Sequence, residues 1–207
     1  MAASRRNPDA VASWDSARQP AMPSLRSAML SRIARPTARR TARLSGAKGV
    51  IWQYTATDVA SAYTWAFLRS THLNPSARHT AELCHLVASE LKAAGWKLAE
   101  ITTDNGSEFR SGDFGEAVGD EGATQRRIKA GRPNSNGCVE RVQLTILEEC
   151  WRPAFSRSLA PKITALRRDL DEYLDYYNND RAHTGRLTRG RVPGDIVFKA
   201  RKMGTVR

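Results

Sequence analysis

Two carboxylates, Asp104 and Glu140, stand at positions where acidic side chains can hold a metal ion. Asp104 follows a stretch of β-formers at 98–103 and precedes an Asn-Gly turn, which predicts the carboxyl end of a short strand. Glu140 follows another Asn-Gly pair and falls in the first turn of a predicted helix. Such oxygen ligands suit Mg²⁺ or Mn²⁺, and two ions about 3.5–4 Å apart support phosphoryl transfer. An alternative stays open, because Asp in a turn and Glu in a first helical turn are also locally favoured.

Hydrophobic periodicity predicts the elements that position these carboxylates. Apolar residues at steps of three and four after Gly137 predict a helix with one buried face, and Glu140 lies one residue off that stripe. Strands are predicted over 50–57 and 63–68, joined by a tight turn at Asp58, and a helix from Asn74 to Gly95. A short strand is predicted at 124–128 and a further helix from Pro161. The helical stripes are Leu83, Val87, Leu91 and Ala94; Val139, Val142, Ile146 and Cys150; and Ile163, Leu166, Leu170, Tyr173 and Tyr177.

Three motifs carry a resemblance to a known family. Residues 103–109 match T-D-N-G-S-x-F, residues 133–140 match P-x-S-x-G-x-x-E, and residues 177–183 match Y-N-x-x-R-x-H. Thirty-five residues separate Asp104 from Glu140. In these respects the sequence, over roughly residues 50–198, resembles the DDE-type integrase catalytic core of retroviral integrases and bacterial insertion-sequence transposases. The third motif resembles the tail of the insertion-sequence members.

The resemblance implies an α/β fold of the RNase H-like type, a mixed sheet flanked by helices. It also implies DNA integration through metal-dependent phosphodiester cleavage and strand transfer, with Asp104 and Glu140 as catalytic residues that each hold one Mg²⁺ or Mn²⁺ ion. Element ends and target DNA would be the partners, and the active form would be a homo-oligomer. Four residues around Glu140 have side chains suited to contacts with phosphate oxygens. A role in capping the loop is an equally good alternative for each of them. They are Arg132, Asn134, Asn136 and Arg141.

One part of the family pattern is missing. The family's first Asp lies on its first strand, about 14 residues before the turn at Asp58, and so falls near Leu44, where there is neither an Asp nor a strand pattern. The sequence therefore predicts that the first strand is missing or replaced and that the chain is truncated or inactive. Asp58 is assigned to turn chemistry instead. Loss of the first strand would leave two neighbouring strands with exposed edges.

Composition divides the 207-residue chain, whose formal net charge is +12. Residues 1–45 hold nine Arg and two Asp and predict a disordered basic tail, or sequence produced by a wrong start or a frameshift. The predicted core spans 46–198, followed by a basic tail at 199–207. The charge favours a nucleic-acid partner.

Scattered Cys and His residues exclude a zinc-finger spacing, and no apolar run predicts a membrane span or signal peptide. A cytoplasmic, nucleoid-associated bacterial protein is expected.

Three functions compete on this sequence. The first is a DDE-type transposase, truncated or inactive because its first Asp is absent. The second is a non-catalytic, basic DNA-binding remnant of a transposase. The third is a different metal nuclease on the related fold, with Asp58 or Glu108 as the additional ligand.

Overall fold

A five-stranded sheet forms the centre of the part of the molecule that the structure describes. The computed structural model describes residues 27–32, 49–128, 137–158 and 160–198. The strands run in the order β3-β2-β1-β4-β5. β1 pairs antiparallel with β2, from Ser27 opposite Thr57 to Arg32 opposite Trp52, and parallel with β4, where Ala28 lies opposite Thr103. The strands are β1 (Ser27–Arg32), β2 (Val50–Thr57), β3 (Thr64–Thr71), β4 (Glu100–Thr103) and β5 (Thr124–Arg127).

Helices cover both faces of the sheet. They are α1 (Ala77–Ala93), α2 (Ser107–Arg110), α3 (Gly112–Asp120), α4 (Gly137–Ile146), α5 (Arg152–Arg157), α6 (Ile163–Asn179) and α7 (Pro193–Val197). A π-helical turn, Leu147–Trp151, joins α4 to α5. None of these described helices has the length and apolar character that crossing a membrane requires.

Alternate residues of β2 supply two separate hydrophobic cores. Tyr54 and Ala56 pack with α1, α2 and α3, and the rings of Phe109 and Phe114 lie 5.2 Å apart in this layer. Ile51 faces the other layer, with α4, α5 and α6. This period of two is what a strand buried on both faces requires. The result is a three-layer sandwich of helices, sheet and helices.

The predicted helical stripes are largely confirmed. Val139, Val142, Ile146 and Cys150 are all buried, and in the other two stripes only Ala94 and Tyr173 remain half-buried. The first long helix begins at Ala77, and not at Asn74 as predicted. A tertiary contact accounts for this difference, because the Ser76 N–H donates to the Tyr54 hydroxyl at 2.9 Å and precedes the helix in an extended conformation.

Of the two predicted alternatives, a first strand that is missing or one that is replaced, the structure excludes the first. Ser27–Arg32 occupy the central place of the sheet, so these six residues are not part of a disordered tail. The sequence Ser-Ala-Met-Leu-Ser-Arg has little β-propensity of its own. Its backbone bonds to a strand on each side, and this tertiary pairing is invisible to a local sequence pattern.

Candidate active site

Asp104 lies where the sequence predicts, directly after β4. Strand β4 is buried at Ile101, Thr102 and Thr103, which holds the following residue at the edge of the sheet. The Oδ1 atom of Asp104 accepts a 2.9 Å hydrogen bond from the Gly106 N–H. This is the Asx-type turn typical of Asp before Asn-Gly, and it orients the carboxylate. Asp104 therefore has a rigid support and remains half-buried at the sheet edge.

Glu140 lies in the first turn of α4 and is exposed. The helix is fixed by its buried face, where Val139 and Ile146 are completely covered. It packs against β1, the central strand of the sheet, and against the neighbouring strand β2. Glu140 is thus presented to solvent from a helix anchored on the central strands. Arg132, Asn134 and Asn136 fall at 131–136, outside the described residues, and of the four predicted phosphate contacts the structure places only Arg141.

The central strand carries no carboxylate. Ala28 is opposite Thr103, so one residue further along the parallel pair Met29 is level with Asp104. No Asp or Glu occurs between Ser27 and Arg32. Within the described ranges, no group of three His, Cys, Asp or Glu side chains is arranged to hold a metal ion. The described residues therefore do not fit a site that needs a third carboxylate on β1.

Glu108 is the acidic residue coupled to Asp104. It lies in α2 and is only 8% exposed. Burial raises the pKa of its carboxyl above the ordinary value, and the charge of Asp104 raises it further. The side chain lies against Gly106, where a Cβ atom would overlap the carboxylate. Burial and the neighbouring charge therefore disfavour the ionised form of this carboxyl relative to that of an exposed glutamate.

Asp58 serves the hairpin turn, as predicted. Its Oδ2 atom accepts hydrogen bonds from the Ser61 N–H at 2.8 Å and the Ser61 hydroxyl at 2.6 Å. The turn backbone closes through the Asp58 N–H to the Tyr63 carbonyl at 2.9 Å. These bonds position Asp58 at the end of β2, next to α4.

The Y-N-x-x-R-x-H motif is a structural clamp. The Asn178 amide accepts from the Thr64 N–H and donates to the Thr64 carbonyl, both at 2.8 Å, and so caps the outer edge of β3. Arg181 pairs with Glu149 and lies 5.7 Å from the centre of the Tyr177 ring. His183 contacts the Tyr177 carbonyl through Nε2 at 3.2 Å. The motif therefore fixes α6 against β3 and holds the loop that follows.

That loop, α4 and the β2–β3 turn enclose a groove of about 690 Å³. Arg141 comes from α4, while Arg181 and Arg186 come from the loop. Asp58 is the carboxylate of the lining, so the arginines dominate its charge. Burial lowers the pKa of His183, and the charge of Arg181 lowers it further, so this side chain is neutral at pH 7. The sequence at 181–191 is basic and leaves two alternatives open, a contact with a DNA backbone or a solvated face. The enclosed groove itself depends on long-range packing.

Comparisons with known proteins agree with this architecture. Residues 121–187 match the family model of the integrase core domain. A chain of the simian T-cell lymphotropic virus intasome, solved in complex with the PP2A regulatory subunit B56 gamma, is similar with a TM-score of 0.61 and 17% identity. That match covers 89% of this chain and 58% of the intasome chain. The catalytic core domain of BIV integrase is similar with a TM-score of 0.55 and 16% identity, over 86% of this chain and 96% of that domain. Curated proteins gave no match.

These similarities define the fold class of the chain. The fold is the mixed α/β, RNase H-like fold of integrase catalytic cores, as the sequence predicted. Residues 121–187, which include Glu140, match the integrase core domain, and this confirms the family resemblance for that part of the chain. The insertion-sequence subgroup stays a prediction.

Proposed function

We propose that this chain is a transposase- or integrase-type core that binds DNA and has lost metal-dependent cleavage and strand transfer. The family match around Glu140 and the integrase fold support an action on DNA. The net charge of +12 supports the same partner, since a basic protein is attracted to the phosphate backbone. The proposal keeps the predicted transposase origin and assigns this chain the non-catalytic role.

The single observation behind the loss of chemistry is the composition of β1. In a two-metal site, the carboxylates neutralise the attacking and leaving oxygens together. Asp104 and Glu140 are present, but the strand that pairs with β4 offers Met29 at the level of Asp104. With this donor set the described residues do not fit the Mg²⁺ or Mn²⁺ pair implied by the family, and we derive no cleavage step through such ions.

The first test compares DNA binding with DNA cleavage in the full chain. Fluorescence anisotropy should show binding to labelled duplex DNA that weakens steeply as salt rises. Incubation of supercoiled plasmid with Mn²⁺ should produce no nicking above that of a Glu140→Gln variant. Metal-dependent nicking that disappears in Asp104→Asn and Glu140→Gln would overturn the proposed loss of activity. Absence of DNA binding at low salt would overturn the proposed function itself.

A substitution that adds a carboxylate to β1 tests whether this strand is the missing part of the metal site. Met29→Asp places a carboxylate level with Asp104, whereas Leu30→Asp, the matched control, places it one residue further along the strand. We expect calorimetry to detect Mn²⁺ binding in Met29→Asp and weaker or no binding in both Leu30→Asp and the wild type. Equal Mn²⁺ binding by the wild type and Met29→Asp would show that β1 is not the missing part of the site.

A further inference from the structure

The groove between α4, the β2–β3 turn and the loop 181–188 has the features of a preformed anion site. Its volume of about 690 Å³ lies within the range of ligand pockets. The loop is held from several directions. The His183 N–H donates to the Arg191 carbonyl at 3.1 Å, and the Thr188 hydroxyl donates to the His183 carbonyl at 2.6 Å. Little ordering is therefore needed when a ligand enters.

The arginines of the groove are not equivalent. Arg181 is committed to Glu149 and to the Tyr177 ring, so its main task is to hold the loop. Arg141 and Arg186 are exposed, and no ion pair of either side chain occurs among the described residues. Arginines with free guanidinium groups in a concave site are suited to phosphate oxygens, which they bind through parallel N–H donors.

The groove also has an apolar side. Val59, Val142 and Leu187 contribute to its lining, and Leu187 remains 46% exposed. A nucleic-acid strand presents phosphates on one side and sugars and bases on the other. The combination of two exposed arginines and an apolar surface suits such a strand better than a free anion, which would use the arginines alone.

We propose that this groove binds the phosphodiester backbone of a nucleic-acid strand through Arg141 and Arg186. The assignment rests on the proposed function, because it names the surface through which the same core holds DNA. On α4 the groove is lined by Cys138, Arg141, Val142 and Thr145. The loop clamped by the Y-N-x-x-R-x-H motif thus supplies Arg186 to the DNA contact.

The test measures anisotropy of labelled single-stranded and duplex DNA with the full chain and two single variants, Arg141→Ala and Arg186→Ala. Each variant should weaken binding to both DNAs and reduce the slope of log affinity against log salt by about 1. The matched control is Arg78→Ala, because Arg78 is an exposed arginine on α1, across the sheet from the groove. The control should bind as the wild type does.

Distinct outcomes separate the two proposals. If the wild type binds DNA and Arg141→Ala and Arg186→Ala bind equally well, the groove assignment is wrong while the proposed function stands. The same conclusion follows if Arg78→Ala loses as much affinity as the groove variants. If the wild type binds no DNA at low salt, both proposals fail.

Inorganic phosphate that displaces DNA more strongly than chloride of equal ionic strength would support a specific phosphate contact, and equal displacement would argue against one. Circular dichroism of each variant checks that the fold is unchanged.

Discussion

At the scale of single residues, Gly106 controls the acidic turn. Its N–H orients Asp104, and its missing side chain makes room for the buried carboxyl of Glu108. The backbone of Gly106 has a φ of −55°, which any residue can adopt. The requirement for glycine is therefore one of space and not of backbone conformation.

Gly106→Ala should destabilise the protein by about 1 kcal/mol, because the new Cβ atom displaces a buried side chain. The same substitution in a Glu108→Ala background should cost much less, since the overlapping carboxylate is gone. Urea denaturation of the wild type, both single variants and the double variant measures this coupling. Additive effects would mean that the overlap with Glu108 is not the cause. Gly115→Ala is the control in α3, where a Cβ atom meets no neighbour.

The placement of Asp104 and Glu140 on their elements could be predicted because local signals surround both residues. An Asn-Gly turn follows Asp104, and an apolar stripe follows Glu140, so each position is set by residues within one or two turns of chain. Arg186 carries no such signal. Its place in the groove depends on contacts between α6, β3 and the hairpin turn, which are far apart in sequence.

At the scale of elements, Asn178 joins α6 to the edge of the sheet. Its amide imitates a neighbouring strand for Thr64, and it is only 4% exposed. A free edge strand exposes backbone groups that invite pairing with other chains. The clamp satisfies part of this edge from within the molecule.

Asn178→Ala should cost about 2–3 kcal/mol of unfolding free energy, because it leaves a buried N–H and a buried carbonyl of Thr64 without partners. The control is Tyr176→Ala on the same helix, where the side chain is exposed and the change should stay within about 0.5 kcal/mol. Thermal and urea denaturation followed by circular dichroism give both values. An Asn178→Ala variant as stable as the control would show that the hydrogen bonds between Asn178 and Thr64 do not stabilise the fold.

Among the elements, β1 is a strand that the sequence could not reveal. Strands β2 and β3 contain β-branched and aromatic residues, and their predicted positions agree with the structure to within a few residues. The β1 segment lies among arginines and alanines, and its strand state results from hydrogen bonding to β2 and β4. The family pattern does not indicate this strand either, because that pattern places the first Asp near Leu44 and β1 contains no Asp.

At the scale of the whole molecule, the sheet depends on β1. A fragment that begins at residue 49 should fail to unfold cooperatively, because both β2 and β4 lose a neighbouring strand. A fragment that begins at Ser27 keeps the strand and should retain the cooperative transition of the full chain. Circular dichroism during urea denaturation compares the three proteins. A cooperative transition in the shorter fragment would show that the sheet is stable without its central strand.

The position of β1 also has a consequence for synthesis on the ribosome. The strand leaves the ribosome before both of its partners and can pair first with β2. Its other partner, β4, lies 75 residues later, by the pairing of Ala28 with Thr103. At typical elongation rates the second edge stays open for about 4–15 s. During that interval the nascent chain presents an unpaired strand edge, with which other extended polypeptides can pair.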